Sequence, residues 1–239
     1  MINKKINKKF FDKNTLEGKI TYFLISLGLI FLLLIGPSLF ILVFGSNYDK
    51  FPFLTKVLIS FCINIIIIMI LFFIYKKTLI KDFKNFFNNK FLDNVEVSFK
   101  YWLIGFIIML ISNLVLTYIT KGGLSANEEA VRDLIDKVPL YMIFDVSLYA
   151  PFTEELIFRK SFKDFISNKW IYVIVSGLVF GGLHVISSVE TPIDLLYIIP
   201  YSALGVSFAA LYHKTDNIYS SMFMHCIHNT MAIVMYLFV

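Results

Sequence analysis

Long apolar runs recur along this chain, and they constrain its fold more than any other feature does. A helix needs about 20 mostly apolar residues to cross the hydrocarbon core of a bilayer. Seven stretches meet that need, at approximately residues 20–44, 57–75, 102–120, 139–158, 170–187, 194–212 and 217–238. They predict an all-α polytopic membrane protein with about seven transmembrane helices, or seven to eight if the boundaries shift.

The composition agrees with lipid as the main solvent. Hydrophobic residues make up 58% of the 239 residues and charged residues only 16%, whereas soluble domains are about one quarter charged. The net charge of +5 does not indicate a nucleic-acid partner, because the basic residues lie between the apolar runs. Cys62 and Cys226 lie within apolar runs without metal-ligand spacing, so they are interpreted as small hydrophobic residues.

The distribution of lysines predicts the orientation in the membrane. The lysine-rich segments are residues 1–19, 76–101 and 159–169. The alternate connections, residues 45–56, 121–138 and 188–193, have fewer lysines or balance them with acidic residues. Because basic residues are enriched in cytoplasmic loops, residues 1–19 are predicted to be a cytoplasmic N-terminus and the C-terminus to lie outside. Frequent Lys, Ile, Asn and Phe, as in AT-rich bacterial genomes, predict a bacterial cell membrane.

Two connections are more than turns. Residues 81–92 place phenylalanines among lysines and asparagines and are predicted to lie along the cytoplasmic interface. Residues 125–136 are predicted to form a short polar helix outside the membrane, capped by Ser125 or Asn127. The chain shows no internal repeat, so residues 1–239 are predicted to form a single membrane domain, with a kink at Pro37 in the first span.

The fourth run ends with Glu154, Glu155 and Arg159, although an ionised side chain at bilayer depth costs about 2.5–3.5 kcal/mol. On a helix, Glu155 and Arg159 share a face and can neutralise each other. Glu154 points about 100° away and does not share that partner equally. Either all three residues mark the cytoplasmic end of the helix, where long charged side chains snorkel to water, or Glu154 is reserved for chemistry.

Later runs carry further polar residues. His184 stands in an apolar run directly after two glycines, which allow helices to approach closely. In the last run, His225 and Asn229 share one helix face, and His228 lies within an arc of about 100° from His225. Each of these residues could equally serve in a polar packing seam, because imidazoles and amides join transmembrane helices.

Polar groups on three runs need interior partners, so they are expected to face one another. A carboxylate, imidazoles and an amide around a small wet cavity are the groups that a hydrolase uses. Glu154 is the candidate general base, with a histidine sharing the proton transfer, and His225 with Asn229 could stabilise an oxyanion. A covalent nucleophile is disfavoured, because no Ser or Cys in these stretches has a base at a fixed spacing.

The three stretches resemble the motifs of a known family. EELIFR at residues 154–159 fits EExxxR, FGGLH at 180–184 fits FxxxH, and HCIHN at 225–229 fits HxxxN. Each motif alone is weak, but their order on successive runs resembles the CPBP (Abi) family of type II CAAX prenyl endopeptidases and bacteriocin-processing enzymes. The resemblance covers residues 139–235 and implies a catalytic core whose active site is a cavity between the last four helices.

The resemblance implies an intramembrane endopeptidase, customarily called a metalloprotease, that uses activated water. Glu154 and His184 would activate the water, and His225 and Asn229 would bind the oxyanion. A divalent metal such as zinc, held by Glu154, His184 and His225, fits these residues no better than a metal-free site, since the sequence has no HExxH to decide.

The surrounding motif residues would support this site. Glu155 and Arg159 would brace it, Phe180 begins the second motif, and His228 has no role in the motif set. The predicted spans place Glu154 and His184 at different depths in the membrane, because Glu154 lies near the inner end of its run and His184 in the outer half of the next. Either the fourth helix continues past Arg159 or the fifth begins deeper than Trp170.

The expected partners are the lipid bilayer and a peptide or small-protein substrate, of CAAX type or of bacteriocin or pheromone leader type. An alternative is a non-catalytic immunity or regulatory membrane protein on the same scaffold. A transporter is disfavoured, because the first 138 residues carry no copy of the motif half.

Overall fold

The computed structural model describes residues 11–88, 90–186 and 189–238, and no β-strand occurs among them. The helices are α1 (Leu16–Ile35), α2 (Leu39–Phe44), α3 (Phe53–Phe86), α4 (Phe91–Ile119), α5 (Ala126–Lys137), α6 (residues 139–165), α7 (Lys169–Val185), α8 (Ile198–Thr215) and α9 (Ile218–Phe238). Short 3₁₀ helices connect some of them, at Gly36–Ser38, Gly45–Lys50 and Asp194–Tyr197. The predicted all-α class is confirmed. The first ten residues of the predicted basic N-terminus lie outside the described residues.

Within the described residues, five helical segments are long and apolar enough to cross a membrane. They are α1, α3, α4, α9 and the segment Asp194–Thr215 that contains α8. The chain is therefore a multi-pass membrane protein. The two other predicted spans correspond to α7, an apolar helix of 17 residues, and to α6, which is not a regular α-helix. Membrane crossing by α6 and α7 stays a prediction.

Two predicted boundaries differ from the structure. The predicted first span is interrupted at Gly36–Ser38, which contains Pro37, and a proline has no backbone N–H to continue the helix. Residues 81–92 are not a separate segment, because α3 continues to Phe86 and α4 begins at Phe91; their position along the cytoplasmic interface stays a prediction. The end of α3 is held against the start of α9, since buried Asp82 accepts a hydrogen bond from the backbone N–H of Ile218 at 3.0 Å.

The predicted polar helix at residues 125–136 is confirmed as α5. The Ser125 hydroxyl caps it by accepting a hydrogen bond from the backbone N–H of Glu128 at 3.2 Å. The start of α5 is tied to α8, because Tyr201 shares a 2.9 Å hydrogen bond with Ser125 and accepts one from the Asn127 amide at 3.2 Å.

The α6 helix contains two π-helical segments. Its successive parts are α-helical Pro139–Phe144, π-helical Asp145–Tyr149, α-helical Ala150–Glu154, π-helical Glu155–Ser161 and α-helical Phe162–Phe165. π-helical turns are rare in proteins overall, but those that occur are often found at functional sites. The sequence analysis offered two explanations for the different depths of Glu154 and His184. The first is correct, because α6, the fourth predicted helix, continues past Arg159 to Phe165. Every residue of Glu155–Ser161 is buried, so this segment lies in the interior of the helix bundle.

The α7 and α8 helices pack closely through glycines. A Cβ atom on Gly181 would lie 2.7 Å from the backbone nitrogen of Ser202, and one on Gly177 would lie 2.6 Å from the backbone nitrogen of Val206. Both distances are shorter than real Cβ contacts. No atom lies within 4 Å of the equivalent position on Gly182. The close approach predicted from the glycine pair therefore depends on Gly181 and not on Gly182.

Replacing Gly181 with Ala is expected to destabilise the protein by about 1–3 kcal/mol, the usual cost of overpacking. Gly182→Ala is the matched control, since it adds the same methyl group to the same helix in open space and gains about 1 kcal/mol of helix propensity. Thermal unfolding of the purified proteins in detergent checks this. Equal melting temperatures for the two variants would show that the α7–α8 contact is not as tight as the structure indicates.

Candidate active site

The polar residues of the three motifs meet at a cavity of about 600 Å³. Glu154 of α6, His184 of α7, and His225, His228 and Asn229 of α9 all line it. Residues of α8 complete the part of the wall that was predicted to lie between the last four helices. The structure adds residues of α4 and α5 to the wall, which the sequence analysis did not assign to the site.

The Glu154 carboxylate lies between the two motif histidines. Its Oε1 atom is 3.9 Å from His184 Nε2, and its Oε2 atom is 3.7 Å from His225 Nε2. These distances are too long for direct hydrogen bonds. They leave room for one small group to be hydrogen-bonded between the carboxylate and an imidazole.

A hydrogen bond to the backbone fixes the orientation of His184. Its Nδ1 atom lies 2.8 Å from the carbonyl oxygen of Phe180, one turn earlier in α7. Since a carbonyl oxygen can only accept, Nδ1 must carry the proton that is donated. In the neutral imidazole, Nε2 is then an acceptor directed at Glu154. The ring is further held by stacking on Tyr201, with centroids 4.9 Å apart.

Behind the cavity, Glu155 connects His225 with Arg159. His225 Nδ1 lies 2.9 Å from Glu155 Oε1, and Arg159 Nε lies 3.3 Å from Glu155 Oε2. The predicted pairing of Glu155 with Arg159 is therefore present, and both side chains are fully buried. Full burial excludes the alternative in which these two residues snorkel to water at a helix end.

The Arg159 guanidinium is stabilised by charge and by aromatic faces, not by well-aligned hydrogen bonds. Its nitrogens form no hydrogen bond of good geometry with the described residues, although Nε is within ion-pair distance of Glu155. The guanidinium carbon lies 4.4 Å from the centroid of the Phe180 ring and 5.8 Å from that of Phe208. A desolvated cation–π contact of this kind contributes about 2 kcal/mol. The Phe180 side chain thus contacts the predicted brace directly.

Asn229 and His228 each form one side-chain hydrogen bond with the described residues at the cavity wall. The Asn229 amide donates to the backbone oxygen of Val146 in α6 at 2.8 Å, which leaves its second N–H for another acceptor. His228 accepts a 3.4 Å hydrogen bond from the indole N–H of Trp102 in α4. The structure therefore places His228 in the cavity wall but does not bring it into the group formed by Glu154, His184 and His225.

Sequence reasoning missed Asp145, which also lines the cavity. It accepts hydrogen bonds on Oδ1 from the Asn64 amide at 2.6 Å and from the Tyr141 hydroxyl at 3.3 Å. Nine residues separate Asp145 from Glu154, which would put them on opposite faces of a regular α-helix. The π-helical segment between them changes that register. An acidic residue inside an apolar run was the signal that could have identified it.

The side chains of the site include possible ligands for a metal ion. Among the described residues, no group of three or more His, Cys, Asp or Glu side chains is arranged to hold a metal ion. Glu154, His184 and His225 converge, but the histidine Nε2 atoms lie 3.9 and 3.7 Å from the Glu154 oxygens, farther than the roughly 3.4 Å between two ligands of one tetrahedral zinc. The sequence analysis left metal binding open, and the side chains as placed do not fit a zinc ion, so the chemistry of the site is derived from the side chains alone.

Comparison with known proteins supports the motif assignment. A family model described as type II CAAX prenyl endopeptidase Rce1-like matches residues 136–231, a range that contains all three motifs. The predicted family resemblance is confirmed. The Rce1-like match begins just before α6 and ends within α9, so it includes every predicted site residue. It does not include α3 and α4, which supply Asn64 beside Asp145 and Trp102 beside His228.

Bacterial relatives share part of this chain. "Putative membrane peptidase YdiL" of Bacillus subtilis (strain 168) is 32% identical over 153 residues, which are 61% of this chain and 59% of YdiL. UPF0177 protein YbdI of Lactococcus lactis subsp. lactis (strain IL1403) is 25% identical over 58% of this chain and 77% of its own length. UPF0177 protein YvdC of the same strain is 23% identical over 58% of this chain and 55% of YvdC. This chain thus spans little more than half of YdiL and YvdC. No solved structure matches it significantly.

Proposed function

We propose that this chain is an intramembrane endopeptidase that hydrolyses a peptide bond with water activated by Glu154. The observation that carries the proposal is the Glu154 carboxylate in a cavity, facing the Nε2 atoms of His184 and His225 at 3.9 and 3.7 Å. The Rce1-like match and the name of the relative YdiL support a membrane peptidase. The proposed reaction is CPBP-type cleavage of a short peptide or small protein.

A water molecule fits between Glu154 and His184. Two hydrogen bonds of about 2.8 Å that meet near a right angle at the water oxygen span roughly 4 Å, close to the 3.9 Å between Oε1 and Nε2. Both groups accept hydrogen bonds, because His184 Nδ1 already donates to Phe180. The water would donate both hydrogens and keep its lone pairs free to attack the carbonyl carbon of the substrate. Glu154 would take one proton as the general base.

On the other side of Glu154, His225 and Asn229 would stabilise the tetrahedral intermediate. Glu154, Glu155 and Arg159 together carry one excess negative charge, and a positively charged His225 would make the buried group neutral, the least costly state inside a membrane. His225 would then donate through Nδ1 to Glu155 and through Nε2 towards the oxyanion. The free N–H of Asn229 would be a second donor.

Proton transfer completes the reaction. As the water oxygen bonds to the carbonyl carbon, Glu154 holds the proton that the water loses. Collapse of the intermediate breaks the carbon–nitrogen bond, and Glu154 returns that proton to the leaving amine. The products are a carboxylic acid, whose proton then passes to the solvent or the amine, and a free amine, so no external reactant besides water is needed.

The test compares a native host that carries the wild-type chain with one that carries Glu154→Gln. Short peptides in the medium and in the membrane are measured by mass spectrometry. We expect at least one peptide or small protein to be shortened only in the wild-type strain, which would establish proteolysis and identify the substrate.

The opposite outcome supports the alternative function. If a deletion strain has a phenotype that wild type and Glu154→Gln restore equally, with identical peptide profiles, the chain acts as a non-catalytic immunity or regulatory protein. Detection of the variant in the membrane fraction is the control for its expression.

A further inference from the structure

The cavity wall has an unbalanced charge. Glu128, Asp145 and Glu154 line it, and no Lys or Arg of the described residues does. Two of these carboxylates have a basic neighbour, because Arg132 Nη2 lies 2.5 Å from Glu128 Oε1 and Glu154 faces two histidines. Within the part of the chain that the structure describes, the partners of Asp145 are neutral.

The neutral partners of Asp145 hold its carboxylate in a defined orientation. Asn64 and Tyr141 both donate to Oδ1, and no described residue donates to Oδ2. Asn64 belongs to α3 and Tyr141 to α6, so the carboxylate is fixed from two helices. One oxygen thus serves the fold, while the other is available to a group that enters the cavity.

We propose that Asp145 binds a basic side chain of the peptide substrate, a lysine ammonium or an arginine guanidinium, and so determines sequence specificity. The inference rests on the proposed peptidase function and adds a substrate class to it. An uncompensated carboxylate in a poorly solvated cavity attracts a cation more strongly than the same carboxylate in water. Oriented by two neutral donors, Asp145 can meet that cation without rearrangement of the helices.

The position of Asp145 on α6 gives the place of the basic residue in the substrate. Nine residues of helix at about 1.5 Å each separate it from Glu154 by roughly 13 Å along the axis. An extended peptide advances about 3.3 Å per residue. Because the basic side chain covers part of that distance itself, the recognised residue would lie about two to four positions from the cleaved bond.

The simpler interpretation is that Asp145 only joins α6 to α3 through Asn64. Such a structural role predicts no dependence on the charge of the substrate. The two interpretations therefore predict different ratios of the cleavage rates of a charged and an uncharged substrate. A change in the overall stability of the protein does not alter that ratio.

The experiment uses the full chain in proteoliposomes and a library of synthetic peptides. At each position the library carries lysine, its uncharged analogue norleucine, or glutamate. Cleavage is followed by mass spectrometry for wild type, Asp145→Asn, Asp145→Lys and Glu154→Gln. Asp136→Asn is the matched control, since it removes the same charge from α5 at an exposed side chain that contacts Tyr236 and does not line the cavity.

We expect wild type and Asp136→Asn to prefer lysine over norleucine about tenfold or more at one position near the cleaved bond. Asp145→Asn should reduce that ratio to near unity, and Asp145→Lys should favour glutamate. Cleavage that depends on Glu154 but ignores charge in the wild type, or a ratio unchanged in Asp145→Asn, overturns the subsite alone. Absence of any Glu154-dependent cleavage overturns the proposed function and the subsite with it.

Discussion

Replacing Glu154 with Gln is expected to lower kcat by about 10²–10⁴-fold, the range that a general base contributes. The amide is nearly the same size as the carboxylate but cannot accept the proton of the attacking water. The structure places no other carboxylate between His184 and His225, among the described residues, that could take over this step. KM should change little, because the amide still fills the same part of the cavity wall.

The measurement is steady-state cleavage of an identified peptide by purified protein in proteoliposomes. Glu129→Gln is the matched control, because it makes the same chemical change at an exposed position of α5. Equal melting temperatures for the two variants would separate a catalytic effect from unfolding. Activity of Glu154→Gln within a factor of about three of wild type would contradict the role of Glu154 as the general base.

Replacing Arg159 with Leu is expected to destabilise the protein by about 3–5 kcal/mol, because it removes the guanidinium that helps to balance the buried charges of Glu154 and Glu155. The Arg159 and Glu155 side chains are fully buried in the π-helical part of α6, so water cannot compensate for the lost charge. The variant also loses the contacts of the guanidinium with Phe180 and Phe208. Thermal unfolding in detergent should show the largest decrease in melting temperature of any substitution suggested for this chain.

The control for this prediction is another pair of the same kind at the surface. Arg132 and Glu128 are also four residues apart, at 2.5 Å, but their side chains are 39% and 42% exposed. Arg132→Leu is therefore expected to cost less than about 1 kcal/mol. Adding Glu155→Gln to Arg159→Leu should recover part of the lost stability, since one buried negative charge is then removed. A double variant no more stable than Arg159→Leu would contradict the electrostatic explanation.

Local patterns of the sequence predicted much of this fold. The apolar runs identified the helices that can cross a membrane, and Ser125 marked the start of α5 because a capping hydroxyl acts within three residues. The spacing of four residues predicted the pair of Glu155 and Arg159, because side chains one helical turn apart lie on the same face. The three motifs also selected Glu154, His184 and His225, and the helix packing brings them to one cavity.

Other features depend on contacts that no local pattern records. The lysine-rich segment at residues 76–101, between two predicted spans, is largely helical, because α3 continues to Phe86, where its Asp82 is held by the start of α9, and α4 begins at Phe91. The contribution of α4 and α5 to the cavity wall follows from how whole helices pack. The cytoplasmic location of residues 1–19 stays a prediction.

Hydropathy and spacing along one helix are local properties, so they already predict lipid as the solvent, the helical class and the residues that carry the motif chemistry. The position of Glu154 between His184 and His225, and that of Asp145 in the same cavity, can be seen only in the folded helix bundle. Both depend on the rotation of helices about their axes. That rotation is set by the close contact of α7 with α8 at Gly181 and by the π-helical turns of α6, where packing between helices overrides the regular α-helical period.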